Sequence, residues 1–354
     1  MRYPLTPRLW LLVALLALAA GCHGDDAPGD DGQVPADAAT AADASALRDA
    51  AVPADAAPQV DAAPAPPVTV AVIADLNGSY GSTTYSSTVH DAVAAIIDRA
   101  PDLVLSAGDM VAGQQSGLDY EAMWTAFHAA VTDPLTQAGI PLAVTPGNHD
   151  ASAYSAFAAE RDLYEQQWLA HRPDVVFLDD AGYPFRYAFA VGPVLFVALD
   201  DTTVGPLSSG QRTWLDALLT QYEASYDVRV VFGHIPLYPV GQGVETEVLN
   251  DTDLEALLEA HRVTLFVTGH HHAYFPGRRA TVRHLAMACL GSGPRALVGD
   301  SDTSLKSFVL FTVRGGAVTD LEAWAAPDFT QIVPRSSLPV TVGAGDTAYT
   351  RDDL

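Results

Sequence analysis

Five times along this chain an apolar, largely β-branched run stops at Asp, Asn or His. VTVAVIADLN stops at Asp75 and Asn77, DLVLSAGD at Asp109, IPLAVTPGNHD at Asn148 to Asp150, VRVVFGH at His234 and VTLFVTGHHH at His270 to His272. Short apolar runs of this kind read as buried strands, so each polar group falls at the carboxyl end of a strand. The helix-like stretches DAVAAIIDRA and YEAMWTAFHAAVTDPL separate the first three runs, and this βαβαβ rhythm predicts a parallel sheet with helices outside it. Ligand sites in open α/β sheets lie at the carboxyl edge. The pattern therefore delivers carboxylate, amide and imidazole groups from five segments into one crevice, which is the donor set of a metal site.

The middle of the chain departs from the rhythm. PFRYAFAVG and PVLFVALD predict an antiparallel pair turning at Gly192 and Pro193, followed by a helix over Gly210 to Tyr222, the strand VRVVFGH and a helix over Asp253 to His261. Late strands near TVRHLAMACL and SFVLFTVRGG are expected to complete a second sheet. The fold class expected is α/β, a four-layer α/β/β/α sandwich of two packed mixed sheets flanked by helices. It occupies residues 67–326, with a poorly patterned C-terminal tail over 327–354.

The front of the chain is different. MRYPLTPRLWLLVALLALAAGC has two arginines, a long apolar stretch and small residues before Cys22, the pattern of an export signal over residues 1–22. Its AAGC end resembles the lipobox of bacterial lipoproteins, with Ala19 where Leu is more usual. That resemblance implies a lipid on Cys22 and an exported domain anchored on the periplasmic or outer face of a bacterial membrane. Residues 23–66 are dominated by Ala, Asp, Pro and Gly. With almost nothing bulky to bury they cannot offset the entropy of ordering, and they read as a disordered tether. A flexible chain of that length spans on the order of 40 Å, and Pro content and like charges stretch it further. The formal charge of −25 argues against long nucleic acids as partners, whose binding rests on clustered Lys and Arg. A small phosphate ester remains compatible with it, because bound cations reverse the local field. With Cys22 acylated, Cys289 has no partner for an intrachain disulfide.

Within the histidine row, an extended chain alternates its side chains, so His270 and His272 face one way and His271 the other. His270 and His272 are the ligand candidates, and His271 is expected behind them or toward solvent. IADLN, AGDMV, PGNHD, FGHIP and TGHHH, in that order, resemble the five motifs of the calcineurin-like metallophosphoesterases, DxH, GDxx, GNHD or GNHE, GHxP and GHxH. DLNGSYG is also similar to the first motif of a bacterial group within that family. The resemblance implies a β-sandwich flanked by helices and a hydrolase of small phosphate mono- or diesters. It also implies two divalent metal ions: Asp75, Asn77, Asp109 and His272 around the first, Asp109, Asn148, His234 and His270 around the second, with Asp109 bridging. By the same resemblance a hydroxide between the ions attacks phosphorus, and His149 protonates the leaving oxygen. Asp150 either orients His149 or caps the helix that follows.

Two departures from the family matter. Asn77 stands where most members have His, an oxygen donor in place of imidazole, so the first site is expected to favour Mn or Fe while the second suits Zn, Mn or Fe. Beside Gly78, Asn77 also reads as a turn residue. Ala112 stands where purple acid phosphatases carry a tyrosine ligand, and no iron–tyrosinate chromophore is expected. The alternative function is a non-catalytic metal-binding scaffold or ligand-binding protein that retains the phosphoesterase fold, favoured by Asn77 and opposed by His149. Around the motifs, Tyr80 is a candidate for substrate contact, Asp200 and Asp201 for support or helix capping, and Arg278, Arg279 and Arg295 for phosphate contact. Tyr274, Phe275, His90, His128, His171, His261 and His284 read as packing or surface residues. The lipobox reading makes a prediction: Cys22→Ala releases the protein from membranes or blocks its maturation. Wild-type protein recovered wholly soluble and unlabelled by fatty acid would overturn it.

Overall fold

The computed structural model describes residues 66–354, so the expected signal, Cys22 and nearly all of the 23–66 tether lie outside the described residues. The described chain opens with β1 (Val68–Ile73), α1 (Ser87–Arg99), β2 (Leu103–Ser106), α2 (Tyr120–Phe127), a π-helical turn over His128–Thr132, α3 (Asp133–Gln137) and β3 (Leu142–Val144). These three strands pair in parallel, as the βαβαβ pattern predicts. Val89, Ala92, Val93 and Ile96 recur at helical spacing and give α1 its buried face. The helix ends at Ala100, ahead of Pro101, which cannot continue it.

Next come α4 (Asn148–Ala151), α5 (Ala158–Ala170) and β4 (Val176–Gly182), then β5 (Arg186–Val191) and β6 (Val194–Ala198), the antiparallel pair expected around Gly192. The remaining α-helices and strands are α6 (Ser209–Tyr222), β7 (Val228–Phe232), α7 (Thr252–Ala260), β8 (Leu265–Thr268), β9 (Phe275–Arg279), β10 (Val282–Ala286), β11 (Ser307–Arg314), β12 (Ala317–Ala325), β13 (Gln331–Ile332), β14 (Thr341–Val342) and β15 (Tyr349–Arg351). Caps set the helix starts. Ser208 Oγ accepts from Gln211 N ahead of α6, and the Asp251 carboxylate accepts from Asp253 N and Leu254 N ahead of α7.

One sheet has six strands in the order β13, β12, β11, β1, β2, β3, and the other nine in the order β14, β15, β9, β10, β8, β7, β6, β5, β4. Along β6, Val194, Phe196 and Ala198 join one core with residues of β1, β2 and α1, while Leu195 and Val197 join a second core with Leu215 of α6 and Leu254 of α7. Successive side chains of a strand point to opposite faces, so this strand is buried on both. That is why the central parallel strands read as unbroken apolar runs. The order of layers is helix, sheet, sheet, helix.

The late strands depart from expectation. SFVLFTVRGG, expected in the second sheet, is β11 and pairs antiparallel with β1 in the first; only TVRHL, as β10, lies in the second. β1 is buried along almost its whole length, and an open edge there would leave buried N–H and C=O groups without partners. Residues 327–354 are no trailing appendage. β13 pairs with β12 and β15 with β9, Phe329, Val342 and Tyr349 are buried, and Asp352 receives Arg283 and Arg335 at 2.6 and 3.0 Å. Strands of two or three residues are too short to show a period in sequence.

Candidate metal centre

Three of the five polar segments turn sharply after leaving their strands. Asp75 and Asp109, after β1 and β2, have φ of 52° and 54°, and His270 and His272, after β8, have 65° and 52°. A left-handed backbone at such residues costs on the order of 1–3 kcal/mol and persists only where neighbours enforce it. Here the segments enforce one another. Asp75 N donates to Gly108 O at 3.0 Å and Asn77 N to Asp109 O at 3.1 Å. His270 N donates to Asp75 Oδ1 at 3.1 Å and His149 N to Asp109 Oδ1 at 2.9 Å. Gly147 makes the last approach possible, since a Cβ there would lie 2.2 Å from Asp109 N and Oδ1.

The turns bring the predicted donors together. Asp75, Asp109 and His272 form one group and Asp109, His234 and His270 another, each with its ligand atoms within 4.8 Å of one another, and Asp109 belongs to both. Asn148 Oδ1 lies 3.0 Å from His234 Nε2, while its Nδ2 donates to Gln114 Oε1 at 2.9 Å, so the amide oxygen faces the centre. Asn77 is buried and lines the same cavity as Asp109 and His272. Its amide oxygen accepts a hydrogen bond from Ser292 Oγ.

Backbone carbonyls decide which ring nitrogen faces inward. Nδ1 lies 2.7 Å from Ala107 O in His234, 2.9 Å from Gly293 O in His272 and 3.0 Å from Gly113 O in His149. A carbonyl oxygen only accepts, so each Nδ1 carries a proton and each Nε2 is left for the centre or the cavity. Burial on its own would raise the Asp109 carboxyl, but His234, His149 and His270 hold it well below the usual carboxylate range. Burial likewise opposes a charged His234, and Asp109 overrides it, pushing the ring up to about 10.

Two buried atoms of the centre, Asp75 Oδ2 and His270 Nε2, have no hydrogen-bond partner. Glu247 Oε2 comes within 3.1 Å of that nitrogen but out of line for a hydrogen bond. Buried polar atoms are otherwise nearly always paired. Orphaned carboxylate and imidazole atoms among converging oxygen and nitrogen donors fit divalent cations.

Beside the centre lies a cavity of about 620 Å³, lined by His149 together with Tyr80, Asp109, His272, Ser292 and Arg295. Asp150 does not orient the His149 ring, which Gly113 O holds instead. Its Oδ1 accepts from Met110 N and Val111 N at 2.8 and 2.9 Å and its Oδ2 from Gly147 N at 2.9 Å. Nor does it cap the helix that follows: Asp150 lies within α4, and its carboxylate clamps the loops of the second and third motifs together. Burial and Asp109 push its carboxyl above the ordinary value, against the N–H donors that favour its ionised form.

His271 faces neither solvent nor the centre. It is fully buried, its Nδ1 accepts from Val240 N and Gly241 N at 3.1 Å, and its Nε2 donates to Glu247 O at 3.0 Å. Burial lowers it to about 3, and the neutral ring hangs the loop that carries Glu247. Asp201 Oδ1 accepts from His234 N at 2.7 Å. Asp200 pairs at 2.5 Å with Arg161, which also donates to Ala151 O at 2.7 Å. Arg278 bonds Leu354 O, and Arg279 bonds Glu255 and Asp346 O; of the three arginines considered for phosphate, only Arg295 lines the cavity. Tyr274 and Phe275 are packed in the interior as expected. Gly113 O, Arg161, Glu247 and Ser292 had not been singled out. The GSG run around Ser292 was a signal for a close loop, whereas the other three act through approaches that spacing does not encode.

Residues 68–274 match the calcineurin-like phosphoesterase family. The chain belongs to that family. It is 27% identical over 213 residues to purple acid phosphatase 18 of Arabidopsis thaliana, covering 59% of this chain and 44% of the relative. Among solved structures it is similar to purple acid phosphatase PPD1 from yellow lupin (Lupinus luteus) seeds, with a TM-score of 0.56 at 16% identity over 76% of this chain and 53% of that one, a likeness of fold. The chain thus spans about half the length of these relatives.

The Asp150 clamp is testable. Asp150→Ala leaves three N–H groups without acceptors, each costing about 1–3 kcal/mol, so denaturant unfolding should show a loss of about 3 kcal/mol or more. An unchanged midpoint would mean that the two loops hold together without it.

Proposed function

We propose that the protein is a metal-dependent hydrolase of small phosphate mono- or diesters, acting outside a bacterial cytoplasmic membrane on a tether held by lipid at Cys22. The observation that carries the catalytic part is the sharing of Asp109 between two largely buried Asp/His groups beside a cavity that also exposes His149. Asp75, Asn77, Asp109 and His272 would hold one divalent ion, and Asp109, Asn148, His234 and His270 the other. Such ions supply Lewis acidity at a phosphoryl oxygen and water ionised near neutral pH. The protein's own groups do the rest. Asp201, Ala107 O and Gly293 O hold His234 and His272 in place. His149, with Nδ1 committed to Gly113 O, turns Nε2 to the cavity and as imidazolium gives its proton to the leaving oxygen. Arg295 offers a guanidinium to a phosphoryl oxygen from the same cavity.

The oxygen-rich first site favours Mn or Fe, and the second accepts Zn, Mn or Fe. Ala112 offers no ligand atom, so iron-loaded protein lacks a tyrosinate chromophore. The tie between Asn77 and Ser292 favours a second reading, in which the first site stays weak and the fold serves as a metal-stabilised scaffold. Turnover separates the two.

Metal-loaded protein should hydrolyse members of a panel of phosphomonoesters, cyclic nucleotides and phosphodiesters; none hydrolysed by fully loaded wild type would favour the scaffold. His149→Ala should lower kcat by about 10² to 10⁴ with metal content retained, whereas Asp109→Asn should lose metal and activity together. Equal metal loss in both would show that His149 is misassigned. In calorimetric titration of apo protein, Asn77→His should tighten the first site and shift it toward Zn. Two equally tight Zn sites, indifferent to Asn77→Ala, would remove Asn77 from the ligand set.

A further inference from the structure

The loop after Asn77 displays an aromatic ring that the fold does not use. Ser79 O accepts from Ser82 N at 2.9 Å, closing a turn with Tyr80 and Gly81 at its centre. Gly81 has a φ of 74°, the left-handed value that the third position of a type II turn requires. Gly81 N donates to Ala112 O at 2.9 Å, which fixes the turn to the loop that follows Asp109. The Tyr80 side chain is 57% exposed and belongs to neither hydrophobic core. Its ring centroid lies 5.3 Å from that of His149, the planes inclined at 57°, and both residues line the cavity. Gly78, Ser79 and Gly81 add little bulk around it. A large ring held in the open by a braced turn, against the residue assigned to the leaving oxygen, is built for contact with something outside the fold.

We infer that Tyr80 is a specificity-determining residue, the platform on which an aromatic ring carried by the leaving alcohol stacks, so that the protein selects phosphate esters of aryl- or nucleobase-bearing alcohols. The inference rests on the phosphoesterase reading above. Its direction follows from His149: the group that protonates the leaving oxygen stands on the leaving group's side, and Tyr80 adjoins it there. A cavity of about 620 Å³ is within the range that takes a ligand of nucleotide size. Stacking is tolerant of which ring is offered, since every base has a π-face.

AMP and ribose 5-phosphate test this, because both release a primary alcohol and they differ in the base. The Mn-loaded full chain should hydrolyse AMP with a kcat/KM about tenfold or more above that for ribose 5-phosphate, as expected for one base stacked on one aromatic side chain. Tyr80→Ala should bring the ratio close to one, and Tyr80→Phe and Tyr80→Trp should keep it, with bound metal unchanged in all three. Equal kcat/KM for the two esters in the wild type overturns the inference and leaves the phosphoesterase reading standing. So does a loss in Tyr80→Ala that is the same for both esters, since the ring would then only seat His149. Hydrolysis of neither ester, nor of any other phosphate ester, by fully metal-loaded wild type removes the reading itself and the inference with it.

Discussion

Asp75 and Asp109 are 0% and 1% exposed and share His272, while Asp109 also meets His234 and His270. An ionised carboxylate buried without compensation costs more than the roughly 5–15 kcal/mol by which a domain is stable, so the sandwich requires positive charge where its strands end. His234 and His272 face the two carboxylates at 3.4 and 3.3 Å, and bound divalent ions would provide the charge. The backbone is arranged around the same need. The end of β1 bonds to the end of β2, the residues after β8 bond to Asp75, and α4 starts on Asp109. Removing the polar centre would therefore disconnect loops as well as ligands.

Much of this was legible because the same chemistry recurs at the same place, a donor at the carboxyl end of each of five apolar runs. The strands and their parallel order around β1, β2 and β3 followed from that repetition. The grouping of His270 with His272 was anticipated from strand alternation, but its cause is different. Both residues adopt a left-handed backbone, and their side chains converge through a turn and not through a pleat. The edge that β11 joins was not legible, because a strand's sequence reports which faces are buried and says nothing of which neighbour completes its ladder. His271 and Asp150 were hidden for a related reason: their partners are backbone N–H groups, which every residue type offers alike.

The departures from the family pattern cluster on one side of the site. Asn77 and Ala112 line the cavity together with Tyr80, Ser292 and Arg295, while the His234 side is supported by Asp201 and Asn148. The half of the centre around Asn77 and His272 is the one that opens to the cavity.

β1 lies in the interior of its sheet, with β11 antiparallel on one flank and β2 parallel on the other, and it is the first strand of the described chain. Tension applied ahead of Val68 runs along the axis of this strand. An edge strand would resist such a pull with one ladder, whereas β1 resists it with two that must shear together. β1 leads directly into Asp75, so any slip of the strand along its axis would displace a carboxylate of the candidate metal centre.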